Sequence, residues 1–415
     1  MFVIFLLIAR GLLVLSLNNG LARKPPMGWM AWAAFGCRID CESEPERCIR
    51  QELFMEMADK LVEDGYLDVG YNRIHIDDCW MARSRNSAGE LEADPDRFPS
   101  GMKNLAKYMH DRGLELGIYA DYGAATCMRF PGSMNREEVD AKTFASWDID
   151  YLKMDGCHSS IDQMNEGYPR MQRALNATGR PIVFSCSWPF YVRLNGRKMD
   201  LLAVRKSCNL WRFYDDVLGG WEYIARVIDY VDQNQDMLAE AQQPGAWNDM
   251  DMIVAGTGTI TPDQARVQMT LWSIWSSPLI LSNDLRHLSQ EFREILQNEG
   301  VIGIDQDPLG IMGKLVRKEN SISIYVKPVT PVINGLTSFA VAFVNMDRES
   351  ARDLEVSLES LGLVNAYGYL LRDLWMDEDL GHVSPSYVHK VALGPTSASM
   401  IKLTIQQINK IDDLS

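Results

Sequence analysis

Lys153 and Asp155 stand two residues apart at the end of the run DYLKMDGC, residues 150–157. In an extended strand the side chains alternate, so both fall on one face. A lysine and a carboxylate at the end of a buried strand cost free energy unless they pair or meet a ligand. Other carboxylates end similar runs: Asp77 and Asp78 in IDDCW, Asp215 and Asp216 in WRFYDD. Two carboxylates facing each other across a cleft can break a glycosidic bond, one attacking the anomeric carbon while the other protonates the departing oxygen. Asp155 suits the first role and Asp216 the second, at about 5–5.5 Å if the enzyme retains configuration. Lys153 is expected to hold Asp155 ionised, and the like charge of Asp215 to help Asp216 keep a proton. Asp77 and Asp78 suit two adjacent sugar hydroxyls, or else cap a following helix. Trp32 and Trp80 offer flat apolar faces for a sugar ring, or pack into a core.

The elements that must hold these groups follow one grammar from residue 27 onward: a short β-branched or aromatic run, a polar or glycine-rich loop, then a helical stretch. The runs are PPMGWMAW (25–32), YNRIHIDDCW (71–80), LELGIYADYG (114–123), IDYLKMDGC (149–157), PIVFSCSWP (181–189), SCNLWRFYDD (207–216), AWNDMDMIV (246–254) and SPLILSNDL (277–285). Between them CIRQELFMEMADKLVEDG (48–65) and GMKNLAKYMHDRG (101–113) carry apolar residues at i, i+3 and i+4, the period of a helix. Strands alternating with helices imply parallel pairing through crossovers. Eight such units predict an α/β fold, a (β/α)8 barrel over residues 23–310, with its site at the C-terminal ends of the strands. Asp77, Asp78, Tyr119, Lys153, Asp155, Arg212 and Asp216 all fall there. An open doubly wound sheet would carry a glycine-rich phosphate loop, and the sequence has none. After residue 310 strand runs follow one another without long helices, predicting an antiparallel β-sandwich over 311–415.

The remaining chemistry is narrowed by what the chain lacks and by its bulk. Of 415 residues 47% are hydrophobic, enough for a large core, and the formal charge of −15 argues against nucleic acid or an anionic membrane as partner. His75, Asp77, Asp78, Asp249 and Asp251 are conceivable metal ligands, but HExxH and EF-hand patterns are absent, so no metal and no cofactor is expected. GxSxG is absent too, and Ser185 and Ser187 flank Cys186 instead of sitting on a nucleophile elbow. The segment MFVIFLLIARGLLVLSLNNGLA reads as a secretory signal over residues 1–22, its Arg10 and Asn18-Asn19-Gly20 interrupting a membrane span. No later segment is long and apolar enough to span a membrane, so the mature chain is expected without one. Eight cysteines and no CxxC favour disulfides over zinc, and Asn176-Ala177-Thr178 is an acceptor for glycosylation.

PPMGWMAW, IDDCW, ADPDRFPSGMKNLA, LGIYAD, KMDGC, SCSWP, CNLWR and WNDMDM occur in one order. From about residue 24 to about 405 the chain thereby resembles glycoside hydrolase family 27, the animal lysosomal α-galactosidases and α-N-acetylgalactosaminidases. The resemblance implies Asp155 as nucleophile and Asp216 as acid/base. It assigns sugar binding to Trp32, Asp77, Asp78, Tyr119, Lys153, Arg212 and Asp216, with a Cys127–Cys157 disulfide as pocket wall. It further implies Cys37–Cys79, Cys41–Cys48 and Cys186–Cys208, a lysosomal or secreted destination and a homodimer. The loop SCSWPFY, with Ser187, Phe190 and Tyr191, faces the sugar 2-position in this family. α-Galactosidases there carry Glu and Leu, and α-N-acetylgalactosaminidases Ser and Ala. Ser187 is the acetamido type, whereas Phe190 is neither. The expectation is cleavage of terminal α-linked N-acetylgalactosamine and galactose from glycolipids and glycoproteins, leaning to the former. A strict α-galactosidase and an inactive sugar-binding protein are the alternatives.

Overall fold

Every one of the eight runs contains a strand. In the computed structural model, which describes residue 17 and residues 19–406, they are β1 (Met27–Met30), β2 (Arg73–His75), β3 (Glu115–Asp121), β4 (Tyr151–Asp155), β5 (Val183–Cys186), β6 (Leu210–Arg212), β7 (Trp247–Asp249) and β8 (Leu279–Leu281). They form one sheet in the order β7-β6-β5-β4-β3-β2-β1-β8, all recorded pairs parallel. A parallel bridge from Ile253 to Leu281, with Ile253 N donating to Ile280 O at 2.8 Å, closes the ring between β7 and β8. The structure is thus the (β/α)8 barrel read from the alternation.

The helices form where period and caps coincide. Gln51–Glu63 buries Leu53, Phe54, Met57, Ala58 and Leu61 against the barrel, and Gly101–His110 buries Met102, Leu105, Ala106 and Met109. Ile161–Ala177 begins with a capping box between Ser160 and Gln163, and Pro262–Trp275 with one between Thr261 and Gln264. The helix Trp188–Leu194 follows β5 at once, starting at Ser187 with Pro189 in its first turn.

Parallel register decides who meets whom at the strand ends. β3 pairs with β4 so that Tyr119 lies beside Lys153 and Asp121 beside Asp155. Disulfides then tie the segments beyond successive strands: Cys37–Cys79 joins those after β1 and β2, and Cys127–Cys157 those after β3 and β4. Cys186–Cys208 joins the end of β5 to the approach to β6, and Cys41–Cys48 closes a short loop. These are the pairs implied by the family resemblance.

Residues 1–16 and 18 of the expected signal lie outside the described residues, but its last part does not. Leu17 N donates to Arg205 O at 2.9 Å, and Asn19 and the buried Asn209 exchange side-chain hydrogen bonds at 3.0 and 3.2 Å. Ala22 O accepts from Trp247 Nε1 at 2.7 Å, while Leu21 and Ala22 pack on Tyr151, Val183, Leu210 and Trp247. This strand of chain covers the N-terminal end of the barrel.

The second unit contains a six-stranded antiparallel sheet, ordered β14-β13-β16-β11-β10-β9, facing the pair β12-β15. Its strands are β9 (Lys314–Glu319), β10 (Ile322–Ile333), β11 (Leu336–Asn345), β12 (Arg352–Ser357), β13 (Tyr369–Asp373), β14 (Glu378–Val383), β15 (Val388–Leu393) and β16 (Ser397–Thr404). Ile322, Ile324, Val341, Phe343, Val356, Leu371, Ile401 and Leu403 fill the space between the two layers. Among the described residues no helix is long and apolar enough to cross a membrane.

Lys327, on β10, is fully buried where sandwich meets barrel. Its ammonium donates to Ser273 O at 2.9 Å, Ser276 Oγ at 2.6 Å and Ile304 O at 2.6 Å. These acceptors lie at the carbonyl ends of Pro262–Trp275 and Glu299–Asp305, where a cation is favoured. Lys327→Met keeps the length of the side chain and deserts all three acceptors. We expect it to cost about 3 kcal/mol, since each bond to a charged donor contributes about 1.5–3 kcal/mol against a partly offsetting desolvation. Calorimetry should show a lower or split melting transition; an unchanged melt would mean that Lys327 does not couple the two units.

Candidate active site

One cavity, of about 220 Å3, opens at the C-terminal ends of the barrel strands. Its walls include Trp32, Asp77, Asp78, Tyr119, Lys153 and Asp155, together with Ser187, Phe190, Tyr191, Arg212, Asp216 and the Cys127–Cys157 disulfide. The catalytic and sugar-binding residues implied by the family resemblance all line this cavity, whereas Trp80, the other three disulfides and Asn176 do not. Asn176 is exposed near the end of the helix Ile161–Ala177.

Asp155 ends β4 and is braced from three sides. Tyr191 OH donates to its Oδ1 at 2.8 Å, Gly156 N to the same oxygen at 3.0 Å and Tyr119 OH to Oδ2 at 3.0 Å. Gly156 is required for this arrangement: a Cβ there would stand 2.7 Å from the Tyr191 ring and 2.6 Å from Met164. Lys153 does not pair with Asp155, as its place beside it suggested. Its ammonium donates to Asp77 Oδ2 at 2.6 Å, both side chains being nearly buried, and it acts on Asp155 only through its field. Burial works against the Lys153 charge, but Asp77, Asp155 and Asp251 outweigh it and hold the ammonium above its ordinary range.

Asp216 is placed otherwise. Its Oδ1 accepts from Arg212 Nη2 at 2.9 Å, and 47% of its side chain is exposed. Arg212 is itself fixed by Asp251 Oδ1 at 2.6 Å, and Asp251 Oδ2 accepts from Val217 N at 2.6 Å. Asp215 does not crowd Asp216 as its adjacency suggested; it turns to Arg193.

Burial pushes the Asp155 carboxyl up, against the Lys153 charge and the Tyr191 hydroxyl. At Asp216 burial is outweighed by the charges of Arg212 and Lys153, which hold it below the carboxylate range. These directions oppose the roles of anionic nucleophile and protonated acid. The hydrogen-bond geometry favours the roles, because three donors aimed at Asp155 match an acceptor-only carboxylate. Asp216 has a single side-chain partner and half its surface open to the medium.

Asp77 Oδ1 accepts from Asp78 N at 2.8 Å, and Asp78 Oδ2 from Met128 N at 3.0 Å. No helix follows the pair, so it caps none. Burial pushes Asp78 up to about 6. Trp32 lines the cavity, but Trp80 is fully buried, donates to Tyr119 O at 2.9 Å and packs edge-on against Trp147. Trp80 is core, because the turn at Cys79 aims it inward. His75 lies in the barrel interior against Tyr151, both ring nitrogens unpartnered, and burial pushes it down to about 3. The one cluster with metal-ligand chemistry among the described residues is Asp121, Cys127 and Cys157, whose sulfurs are joined to each other.

Two residues of the site went unassigned from the sequence. Asp251, considered only as a metal ligand, anchors Arg212. Asp121 lies fully buried beside Asp155 and accepts from Cys157 N at 3.0 Å, its other oxygen unpartnered. Burial first, then the Asp155 charge, push it up to about 9 from 3.8. Between those values the folded chain keeps a proton that the unfolded chain releases. Its stabilising effect is full below about pH 4 and is lost as pH rises through about 9. Melting curves of wild type and Asp121→Asn should therefore shift in favour of the variant as pH rises from about 5 to about 9. A difference constant over that range would remove the proton from Asp121.

A family model described as "Alpha galactosidase A" matches residues 24–307, and one described as "Alpha galactosidase C-terminal beta sandwich domain" matches 319–403. The chain is 43% identical to an alpha-N-acetylgalactosaminidase of Gallus gallus, over 92% of this chain and 94% of that one. It is 41% identical to alpha-galactosidase A of Homo sapiens, over 96% and 93% respectively. The solved alpha-galactosidase I of Mortierella vinacea superposes with a TM-score of 0.80 at 28% identity, covering 93% of this chain and 98% of that chain. With both units matched in order, the chain belongs to the melibiase family of α-galactosidases and α-N-acetylgalactosaminidases, glycoside hydrolase family 27.

Proposed function

We propose that this protein removes terminal α-linked N-acetylgalactosamine, and α-linked galactose, from glycolipids and glycoproteins by a retaining double displacement. The observation that carries the reading is the unequal setting of two carboxylates in one cavity: Asp155 held by three donors, Asp216 half open beside Arg212. An Asp155 oxygen bonds to the anomeric carbon as its bond to the aglycone breaks, and Asp216 gives its proton to the departing oxygen. A water then returns a proton to Asp216, bonds to the anomeric carbon and displaces Asp155, with net retention. Lys153 with Asp77, and Asp78, offer donor and acceptors to ring hydroxyls.

Ser187 supports the acetamido leaning, and the bulk of Phe190 opposes it. Ser187 sits at the start of its helix without capping it, which leaves its hydroxyl for a ligand. Phe190 forms the wall beside it, a tighter boundary than an alanine would give.

The same reading includes a secretory route to an acidic lysosome-like compartment, glycosylation at the exposed Asn176 and a homodimer. The catalytic unit runs to residue 310 and the sandwich follows from 311; of the expected span to 415, residues 407–415 lie outside the described residues. We place the end of the leader before Leu17 and not after Ala22, because residues 19–22 satisfy Asn209 and Trp247 on the barrel floor.

Chromogenic α-GalNAc and α-Gal substrates test the activity on purified protein. Asp155→Asn should abolish turnover, since an amide cannot form the glycosyl ester. Asp216→Asn should lower kcat/KM far more for poor leaving groups than for activated aryl glycosides, which need little protonation. Equal losses on both would remove Asp216 from the acid role.

Specificity has its own test. Ser187→Glu places a longer charged group where the acetamide would lie, so α-GalNAc cleavage should fall by a factor of about a hundred while α-Gal cleavage is spared. Phe190→Ala should shift the ratio the other way. Parallel changes in both activities would show that this helix does not read the 2-position.

A further inference from the structure

Arg193 lies one turn beyond Phe190 on the helix Trp188–Leu194, outside the residues that line the cavity. Its guanidinium is held from several directions, with 24% of the side chain exposed. Nη2 donates to Asp215, the neighbour of Asp216, and Nε to Phe213 O at 3.2 Å. The guanidinium carbon lies 4.4 Å from the Tyr214 ring centre, 5.6 Å from that of Phe190 and 5.7 Å from that of Tyr230. Tyr230 stacks on both Tyr214 and Phe213, so the aromatic bed under the arginine is continuous with the segment after β6.

That segment is the one that delivers Asp216. The helix Trp188–Leu194 delivers Tyr191, which donates to Asp155 at 2.8 Å, and Phe190, which packs edge-on against Tyr191 at 5.0 Å. Asp216 itself has only Arg212 as side-chain partner, and its neighbour Asp215 is fixed through Arg193. We propose that Arg193 is a positioning residue with two separable tasks: its ion pair with Asp215 sets the aim of the acid/base Asp216, and its stacking on Phe190 sets the wall that reads the sugar 2-position. A planar guanidinium can do both at once because its edge donates hydrogen bonds while its face stacks on rings. A lysine would retain the charge and lose the face.

This assignment rests on the glycosidase reading above, and the variants separate the two. Each is compared with wild type by kcat/KM, which reports the glycosylation step, on α-GalNAc and α-Gal glycosides bearing a good or a poor leaving group. Arg193→Met should lose about tenfold or more on the poor leaving group, and less than about threefold on the good one, and should change the α-GalNAc to α-Gal ratio at least about threefold. Asp215→Asn should reproduce the leaving-group effect with the ratio unchanged, because the stack remains. Arg193→Lys should recover part of the leaving-group loss and keep the altered ratio. Equal losses on both leaving groups, or no loss, in variants that melt like wild type would overturn the assignment while leaving the activity standing. Should Arg193→Met fail to fold, Asp215→Asn decides: the absence of a leaving-group-selective loss overturns the link to Asp216. A wild type that cleaves neither glycoside overturns the glycosidase reading, and this role with it.

Discussion

Lys153 and Asp77 form an ion pair across the mouth of the barrel, between the ends of β4 and β2, and the arrangement of the other charges follows from it. A parallel barrel closes on apolar layers, and the catalytic end must then accommodate several carboxylates with little water around them. Two cations serve them. Lys153 neutralises Asp77 directly and acts on Asp155 at a distance; Arg212 divides its donors between Asp251 and Asp216. Because Lys153 is occupied by Asp77, Asp155 takes its hydrogen bonds from neutral donors, two tyrosines and a backbone N–H. Neutral donors orient a carboxylate without binding it as a salt. That suits the nucleophile role proposed for Asp155, in which it would form and break a bond to carbon.

Asp121 extends the same logic. With Asp155 beside it on the adjoining strand and no cation in contact, its cheapest form is the neutral acid. Raised carboxyl groups at Asp78, Asp121 and Asp251 all favour the fold in acid over the fold in alkali. An acidic working environment thus agrees with the electrostatics of the pocket itself. The formal net charge of −15 points the same way, but more weakly, because exposed charges are screened.

In the proposed mechanism specificity and catalysis share one short helix. Tyr191 reaches Asp155 from it, while Ser187 at its start and Phe190 within it face the cavity. Seven residues following directly on β5 leave little slack, so a change at one position of this helix is felt at the others. The Arg193 contacts carry that rigidity across to the segment bearing Asp216.

Much of this was legible in the sequence. The eight strands lie within eight runs recognised from their β-branched and aromatic residues, because a barrel strand buried on both faces must be apolar along its length. The carboxylates at their ends stood out for the same reason: charge next to such a run has few explanations. Strands β9, β14 and β15 gave weaker signals, since KLVRKE, EDLGHV and VHKVAL carry charge on exposed faces and all three are sheet edges.

What the sequence by itself determined was the set of groups and the strand ends that carry them. What only the tertiary structure decided was who faces whom. Lys153 meets Asp77 and not its near neighbour Asp155, Asp215 meets Arg193 and not Asp216, and Trp80 points into the core while Trp32 lines the cavity. Asp121 and Asp251 acquire their parts only when register and loop geometry bring them beside Asp155 and Arg212. The reason is that spacing along a strand fixes which face a side chain occupies. Partnership depends instead on distances between strands, which the chain sets only when the barrel closes.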